Sequence, residues 1–363
     1  MFVINNAAGQ SVTMNEIYEE GFNLTADSYL TQSISRIKPD IFGDYLKKIE
    51  SNNGKDCSGE IIPTGIDALD AIIGGGFSEG LYIIGANPGM GKTSLMLHIL
   101  INLALNKRHS LFFSLDMSAI QTTMRLVANT SYRFNDLENK TINDISNAKV
   151  ILKDKKIDCS VQELCDRYST AIDPYINILS VHVDPLGKID KSATYIESIE
   201  TAIKNFKQYS KTRPVVVIDF LQLLRNKPSS TCRDENDGEI TLKSYDKRLE
   251  MEHIIDTLKD LSAVYHVPII AISSVNRSSY TKSNVDSNDD YDISFGKESG
   301  NIEYMAHVLI RLTSGDSATV FGGPKMERVK LIILKSRSGK QYETISLDFI
   351  PEYAYFQSVK ENT

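Results

Sequence analysis

The stretch Leu81 to Thr93, LYIIGANPGMGKT, constrains this chain more than any other. Leu81 to Ile84 is a short apolar run with the length and β-branched content of a buried strand. It breaks into a glycine- and proline-containing turn, and Gly91-Lys92-Thr93 then opens an amphipathic run from Ser94 to Leu105. Strand, glycine-rich turn and helix start together are the context of a phosphate-binding loop, which a chance GKT triplet in a loop lacks. Residues 87–92 are expected to curl so that backbone N–H groups point inward, where the helix N-terminus adds its partial positive charge. The expected cradle is Asn87, Pro88, Gly89, Met90 and Gly91, followed by Lys92, Thr93 and Ser94. Lys92 is placed to reach the β and γ phosphates of ATP, and the Thr93 hydroxyl to hold Mg²⁺. The strict pattern has glycine five residues before Gly91; here Ala86 stands there, with Gly85 one residue earlier. Alanine can hold most of the same backbone angles.

A second acidic position follows from the run VVVIDFLQLL, Val215 to Leu224. Four apolar residues end in Asp219, which places a carboxylate at the C-terminal tip of a buried parallel strand. A buried acid needs a partner, and Mg²⁺ on nucleotide phosphates supplies one. The plainer reading is a helix-capping aspartate; the phosphate loop upstream favours the metal role.

Around these two stretches, apolar strand-like runs alternate with helical periods. Ser110 to Leu115, Ile176 to Val183 and Val267 to Ile272 read as strands, as does Val308 to Leu312. Ala119 to Asn129, Tyr195 to Tyr209 and Lys247 to Tyr265 carry helical spacing, and residues 133–175 are polar and expected to be helical. Two final strands, Val329 to Lys335 and Tyr342 to Phe349, flank the turn Ser336 to Lys340. The pattern predicts an α/β fold: a mainly parallel sheet with helices on both faces and ligand at the carboxyl ends of the strands. The loop at Lys92, Asp116, Asp219 and Ser274 all fall at such ends. Asn226 to Ser244 reads as a polar loop, and Ser278 to Ser294, with Asp286, Asp289, Asp290 and Asp292, as an acidic flexible one.

Residues 1–58 differ from the rest. Helical spacing over Thr13 to Glu20 and Ala26 to Ser51, interrupted by Pro39, ends at Asn52-Asn53-Gly54. The expected organisation is a short helical N-terminal extension or linker, 1–58, ahead of one large domain, 59–363. The extension either caps that domain or docks on a neighbouring subunit. With 363 residues, 41% of them hydrophobic and 24% charged, the composition is that of an ordinary globular protein. No apolar run approaches the ~20 residues that cross a membrane, and MFVINNAAGQ lacks the features of a secretory signal. Cys57, Cys159, Cys165 and Cys232 show no metal-like spacing and read as reduced thiols of a cytoplasmic protein. The net charge of −7 argues against wholesale basic attraction to nucleic acid, while leaving room for a local basic track.

PTGIDALDAIIGG, GANPGMGKTS, LFFSLDMSAIQTTMRL, VVVIDFLQLL, AISSVNRSS, KESGNIE and LIILKSRSGK occur in the order seen in DnaB-type replicative helicases. From about Ile61 to Phe356 the chain resembles the RecA-like P-loop NTPase motor domain of that family. The resemblance implies a ring, commonly a hexamer, with ATP sites between neighbours and single-stranded DNA in the central channel. Lys92 and Thr93 then match the phosphate-loop lysine and metal-binding hydroxyl, and Asp219 the second acidic motif. Asp116 stands at the position of the carboxylate that orients the attacking water. Lys335 and Arg337 match the basic pair that reaches the adjacent subunit's γ-phosphate. Lys297, Glu298 and Gly300 match the DNA-contacting loop, where amides and a basic residue track phosphates without reading bases.

Three departures from that pattern stand out. Asp116 replaces the usual glutamate, Ser274 replaces the glutamine that senses the γ-phosphate, and the family's large N-terminal collar, which meets primase, is absent or reduced to residues 1–58. The residues are therefore compatible with two functions. One is an ATP-dependent, ring-forming DNA helicase, 5′ to 3′ by resemblance, serving replication of a phage, plasmid or other mobile element, with a loader or primase as partner. The other is a non-unwinding nucleotide-binding protein of the same fold, acting as an assembly or regulatory subunit.

Overall fold

The structure, a computed structural model, describes residues 3–5, 11–13, 60–134, 141–146, 159–180, 182–183, 189–226, 247–274, 304–315 and 324–359. The chain divides into two units, Met1–Glu60 and Ile61–Thr363. In the first, β1 (Val3–Asn5) pairs antiparallel with β2 (Ser11–Thr13). The helix expected from Thr13 begins on a residue that belongs to β2; the rest of both expected helices lies outside the described residues.

The second unit runs α1 (Asp67–Ile73), β3 (Gly80–Ala86), α2 (Lys92–Leu105), β4 (Ser110–Ser114), α3 (Ala119–Arg133), α4 (Cys159–Ala171) and β5 (Ile176–Ser180). It continues with β6 (His182–Val183), β7 (Ile189–Asp190), α5 (Ile196–Tyr209), β8 (Val215–Asp219), α6 (Lys247–Tyr265) and β9 (Pro268–Ser274). Last come β10 (Val308–Ser314), β11 (Glu327–Ser336), β12 (Glu343–Ile350) and β13 (Tyr355–Ser358). Nine strands form one sheet, ordered β13-β12-β11-β10-β3-β9-β8-β4-β5. From β10 to β5 all neighbours are parallel, while β11, β12 and β13 extend the edge antiparallel.

The continuous apolar runs follow from a sheet covered on both faces. In β3, Tyr82, Ile84 and Ala86 join the core with Leu69 of α1, Leu95 of α2, Leu126 of α3 and Leu164 of α4. Leu81 and Ile83 point the other way, into a core with Ile199 and Ile203 of α5 and Ile254 and Leu258 of α6. The same alternation divides β8, Val215 and Val217 against Val216 and Ile218. Each buried Val, Leu or Ile among these contributes ~1.5–3 kcal/mol by leaving water.

The helix after the phosphate loop departs from expectation. Its sequence predicts an amphipathic helix, yet α2 is buried from Ser94 to Ala104, because β13 and α3 cover the side that solvent would otherwise reach. Its polar residues are matched internally: Asn102 donates to the Thr64 carbonyl at 3.0 Å, and the Phe356 amide donates to His98 Nδ1 at 3.4 Å. Burial, reinforced by the nearby Arg133 charge, pushes the His98 pKa down to about 3, so the ring is neutral. The expected strand Ile176 to Val183 is in fact two, β5 in the main sheet and β6 paired with β7. Elements without a clear sequence period, α1 and β13, complete one core. Among the described residues no helix is long and apolar enough to cross a membrane. Cys165 is a free, half-buried thiol.

Candidate active site

The loop after β3 turns through Gly89 (φ 85°) and Gly91 (φ 84°), left-handed conformations that glycine alone holds without strain. Gly91 is needed twice over, since an added Cβ would lie 3.0 Å from Cε1 of Phe349. No side chain caps α2. Its first N–H groups, with the positive end of the helix dipole, are therefore available to an anion. Lys92 folds back along the loop, Nζ donating to the carbonyls of Ala86 (2.6 Å) and Asn87 (3.2 Å). Burial lowers its pKa, partly offset by Asp219.

Residues 88–94 line a cleft of about 530 Å³ together with Asp116, Arg125, Asp219, Ser274, Phe349 and Pro351. Asn87 contributes its carbonyl to Lys92 rather than lining the cleft. Asp219, at the tip of β8, is 3% exposed and accepts a hydrogen bond from the Thr93 hydroxyl at 2.6 Å. Burial is the main cause that raises its pKa; Asp116 adds to the rise, while Thr93, Lys92 and Arg125 oppose it. These residues fit Mg²⁺. Two hard oxygen donors sit side by side, one of them a buried carboxylate whose charge is costly until a cation meets it.

Asp116, just beyond β4, is exposed to the cleft. Ser274, at the tip of β9, has its backbone held by Gln222: the side-chain amide accepts from Ser274 N (3.2 Å) and donates to Ser274 O (3.1 Å) and Ser273 Oγ (2.9 Å). Sequence reasoning singles out neither Gln222 nor Arg125. Both lie within blocks noted for other residues, VVVIDFLQLL and LFFSLDMSAIQTTMRL, and no local spacing marks them. Phe349 and Pro351, which line the same cleft from the end of β12, carry no sequence signal either.

Lys335 and Arg337 are not in this cleft. Lys335 pairs with Leu309, the second residue of β10, and the Arg337 amide donates at 3.0 Å to the carbonyl of His307, just before β10 begins. The basic pair therefore sits toward the amino ends of the parallel strands, on the edge of the sheet opposite Lys92. Lys297, Glu298 and Gly300 lie outside the described residues.

The model of the DnaB-like helicase C-terminal domain matches residues 61–358. The chain belongs to that family. The replicative DNA helicase DnaB of Helicobacter pylori is 29% identical over 257 residues, 70% of this chain and 44% of the relative. That of Geobacillus stearothermophilus is 28% identical over 327 residues, 88% of this chain and 62% of the relative. The chain thus spans about half the length of the curated relatives it matches. Solved structures share the fold. A DnaB-like replicative helicase described with its interactions with primase has a TM-score of 0.64 at 21% identity, covering 95% of this chain and 74% of that one. A separately solved ATPase domain has the same TM-score, 0.64, at 23% identity, covering 89% and 100%. The expected RecA-like α/β fold is therefore the DnaB fold.

If Asp116 takes the water-orienting role that the resemblance implies, its short side chain has a measurable consequence. Glutamate would extend the carboxylate by about 1.5 Å, and ~1 Å of misplacement can cost ~10²-fold in rate. Asp116→Glu is expected to raise the turnover of ATP, read as phosphate release per protomer. Unchanged or lower turnover means that the aspartate is already in position.

Proposed function

We propose that this chain is the ATP-hydrolysing motor of a DnaB-type DNA helicase. It assembles as a homo-oligomeric, hexameric ring, binds ATP with Mg²⁺ where two copies meet, and moves 5′ to 3′ on single-stranded DNA during replication. The work is cytoplasmic, on a chromosome or a mobile element, with a loader or primase as the partner that brings the ring to DNA.

In this reading the amides of residues 88–94 and the Lys92 ammonium hold the β and γ phosphates, Lys92 exchanging its two carbonyl contacts for them. Thr93 and Asp219 are the protein's ligands to Mg²⁺, which supplies charge neutralisation to the triphosphate when bound. Asp116 orients the attacking water and accepts its proton as the bond from the γ-phosphorus to the bridging oxygen breaks. Arg125 adds a second cation in the same protomer, and Ser274 offers a hydroxyl toward the γ end. Phe349 and Pro351 give the base apolar surface.

The observation that carries the reading is the division of charge between two edges of the sheet. Lys92, Thr93, Asp116, Arg125 and Asp219 share one cleft, while Lys335 and Arg337 sit at the far edge. A complete site then needs a second copy to deliver the pair, and a trans-acting cation can be worth ~10³-fold or more. Hydrolysis becomes dependent on assembly.

The test is the rate of ATP hydrolysis by the full chain with and without single-stranded DNA. Stimulation of at least several-fold is expected. Hydrolysis no faster with DNA removes the motor reading and leaves a nucleotide-gated assembly or regulatory subunit, an alternative that the short Asp116 and the serine at 274 favour.

A further inference from the structure

The far edge of the sheet holds an arrangement that no phosphate-loop chemistry requires within one protomer. Lys335 Nζ donates to the main-chain carbonyl of Tyr304 at 2.7 Å, and Arg337 Nη2 donates to the same oxygen at 3.2 Å. Lys335 Nζ also lies 5.9 Å from the centroid of the Tyr304 ring. The ring is not a core residue: Tyr304 is 78% exposed. The backbone beneath is tied to the same segment, through Arg337 N to His307 O (3.0 Å) and the His307 Nε2 and Ser338 Oγ pair (2.9 Å). Burial, and then the charges of Arg337 and Lys335, lower the pKa of His307, so the imidazole adds no third positive charge.

We propose that Tyr304 is the positioning residue for Lys335 and Arg337, gathering two long cationic side chains into one rigid unit that is presented to the neighbouring copy's nucleotide. The inference rests on the reading of that pair as acting in trans. Two like charges drawn to one oxygen repel each other. The negative end of the carbonyl dipole and the face of the aromatic ring offset the repulsion. Unrestrained Lys and Arg side chains carry substantial rotamer entropy, which a loose pair would lose on meeting the phosphate. Here that ordering is in place before the copies meet, so the benefit falls on the rate of the chemical step rather than on ATP affinity. The carbonyl is supplied by any residue at 304. The ring is specific to this one, and it holds Lys335 from a second side.

The experiment compares Tyr304→Ala, Tyr304→Leu and Tyr304→Phe in the full chain, measuring kcat and KM for ATP with single-stranded DNA present. Ala and Leu are expected to lower kcat about tenfold while KM moves less than about twofold, and Phe, which keeps the ring, to restore wild-type kcat. The exposed position leaves the core intact, and Leu keeps bulk without a π face. Each slow variant is then mixed with Lys92→Ala protomers, which lack a working cleft but carry an intact Tyr304, Lys335 and Arg337. Activity of the mixture above the sum of its parts is expected, as it is for Arg337→Ala mixed with Lys92→Ala. If the Arg337→Ala mixture gains and the Tyr304→Ala mixture does not, Tyr304 is not a positioning residue, and the trans site stands. Wild-type kcat in Tyr304→Ala leads to the same conclusion. If neither mixture gains, the trans reading itself falls.

Discussion

Lys92→Ala is expected to reduce ATP turnover by at least ~10²–10³-fold while leaving the fold intact, the scale of removing one preorganised charge from a transition state. The side chain is half-buried and bonded to two loop carbonyls, Ala86 O and Asn87 O, so the apo protein loses two hydrogen bonds and no core contact. It also loses a partly buried ammonium whose charged form desolvation disfavours. Stability without nucleotide should therefore change little, by circular dichroism or thermal melting. A fluorescent ATP analogue should bind more weakly. Near-normal hydrolysis in this variant would mean that the loop does not carry the chemistry, on the helicase reading and on its alternative alike.

Asp219→Asn should separate stability from activity in the opposite sense. Asparagine can still accept the hydrogen bond that Thr93 donates at 2.6 Å, so packing at the tip of β8 is kept. The pKa of Asp219 is raised, chiefly by burial. A carboxyl whose pKa is higher in the folded than in the unfolded chain binds more protons when folded, so its contribution to stability improves as pH falls through the raised value and is least favourable at neutral pH. Removing the ionisable group lifts that penalty. The melting temperature at pH 7, without Mg²⁺ or nucleotide, should rise by roughly 1–2 °C per kcal/mol relieved in a unit of this size. Hydrolysis with Mg²⁺ should fall by ~10²-fold or more, because a cation ligand is lost. The same shift means that Mg²⁺-dependent ATP binding by the wild type should weaken on acidification at a higher pH than an ordinary aspartate would give. A destabilised Asp219→Asn protein would show that the carboxylate is a structural acceptor rather than a site held ready for a cation.

Much of the working edge can be read from residues alone. Strand β3, the glycine turn and the start of α2 are specified within thirteen residues, because backbone angles near Gly89 and Gly91 and the period of the flanking runs are local properties. Asp219 at the end of four apolar residues is local in the same way, and the helix Lys247–Tyr265 falls where its period places it. Other features are hidden from any local reading. The burial of α2 on all sides depends on β13 closing over it from more than two hundred residues away, as the Phe356 to His98 contact shows. Arg125 reaches the cleft because α3 packs beside α2, and Gln222 matters because β8 and β9 are neighbours.

The order of chemical groups along the chain, a phosphate loop, an acid after each of two buried strands and a late basic pair, is a property of covalent sequence and short-range period. Which of them meet is not. The parallel pairing of β3, β9, β8 and β4 carries Lys92, Asp219 and Asp116 to one edge, and the antiparallel return of β11 along β10 carries Lys335 and Arg337 to the other. Strand direction and neighbour order are set by burial and hydrogen bonding between segments distant in the chain, which no local window contains.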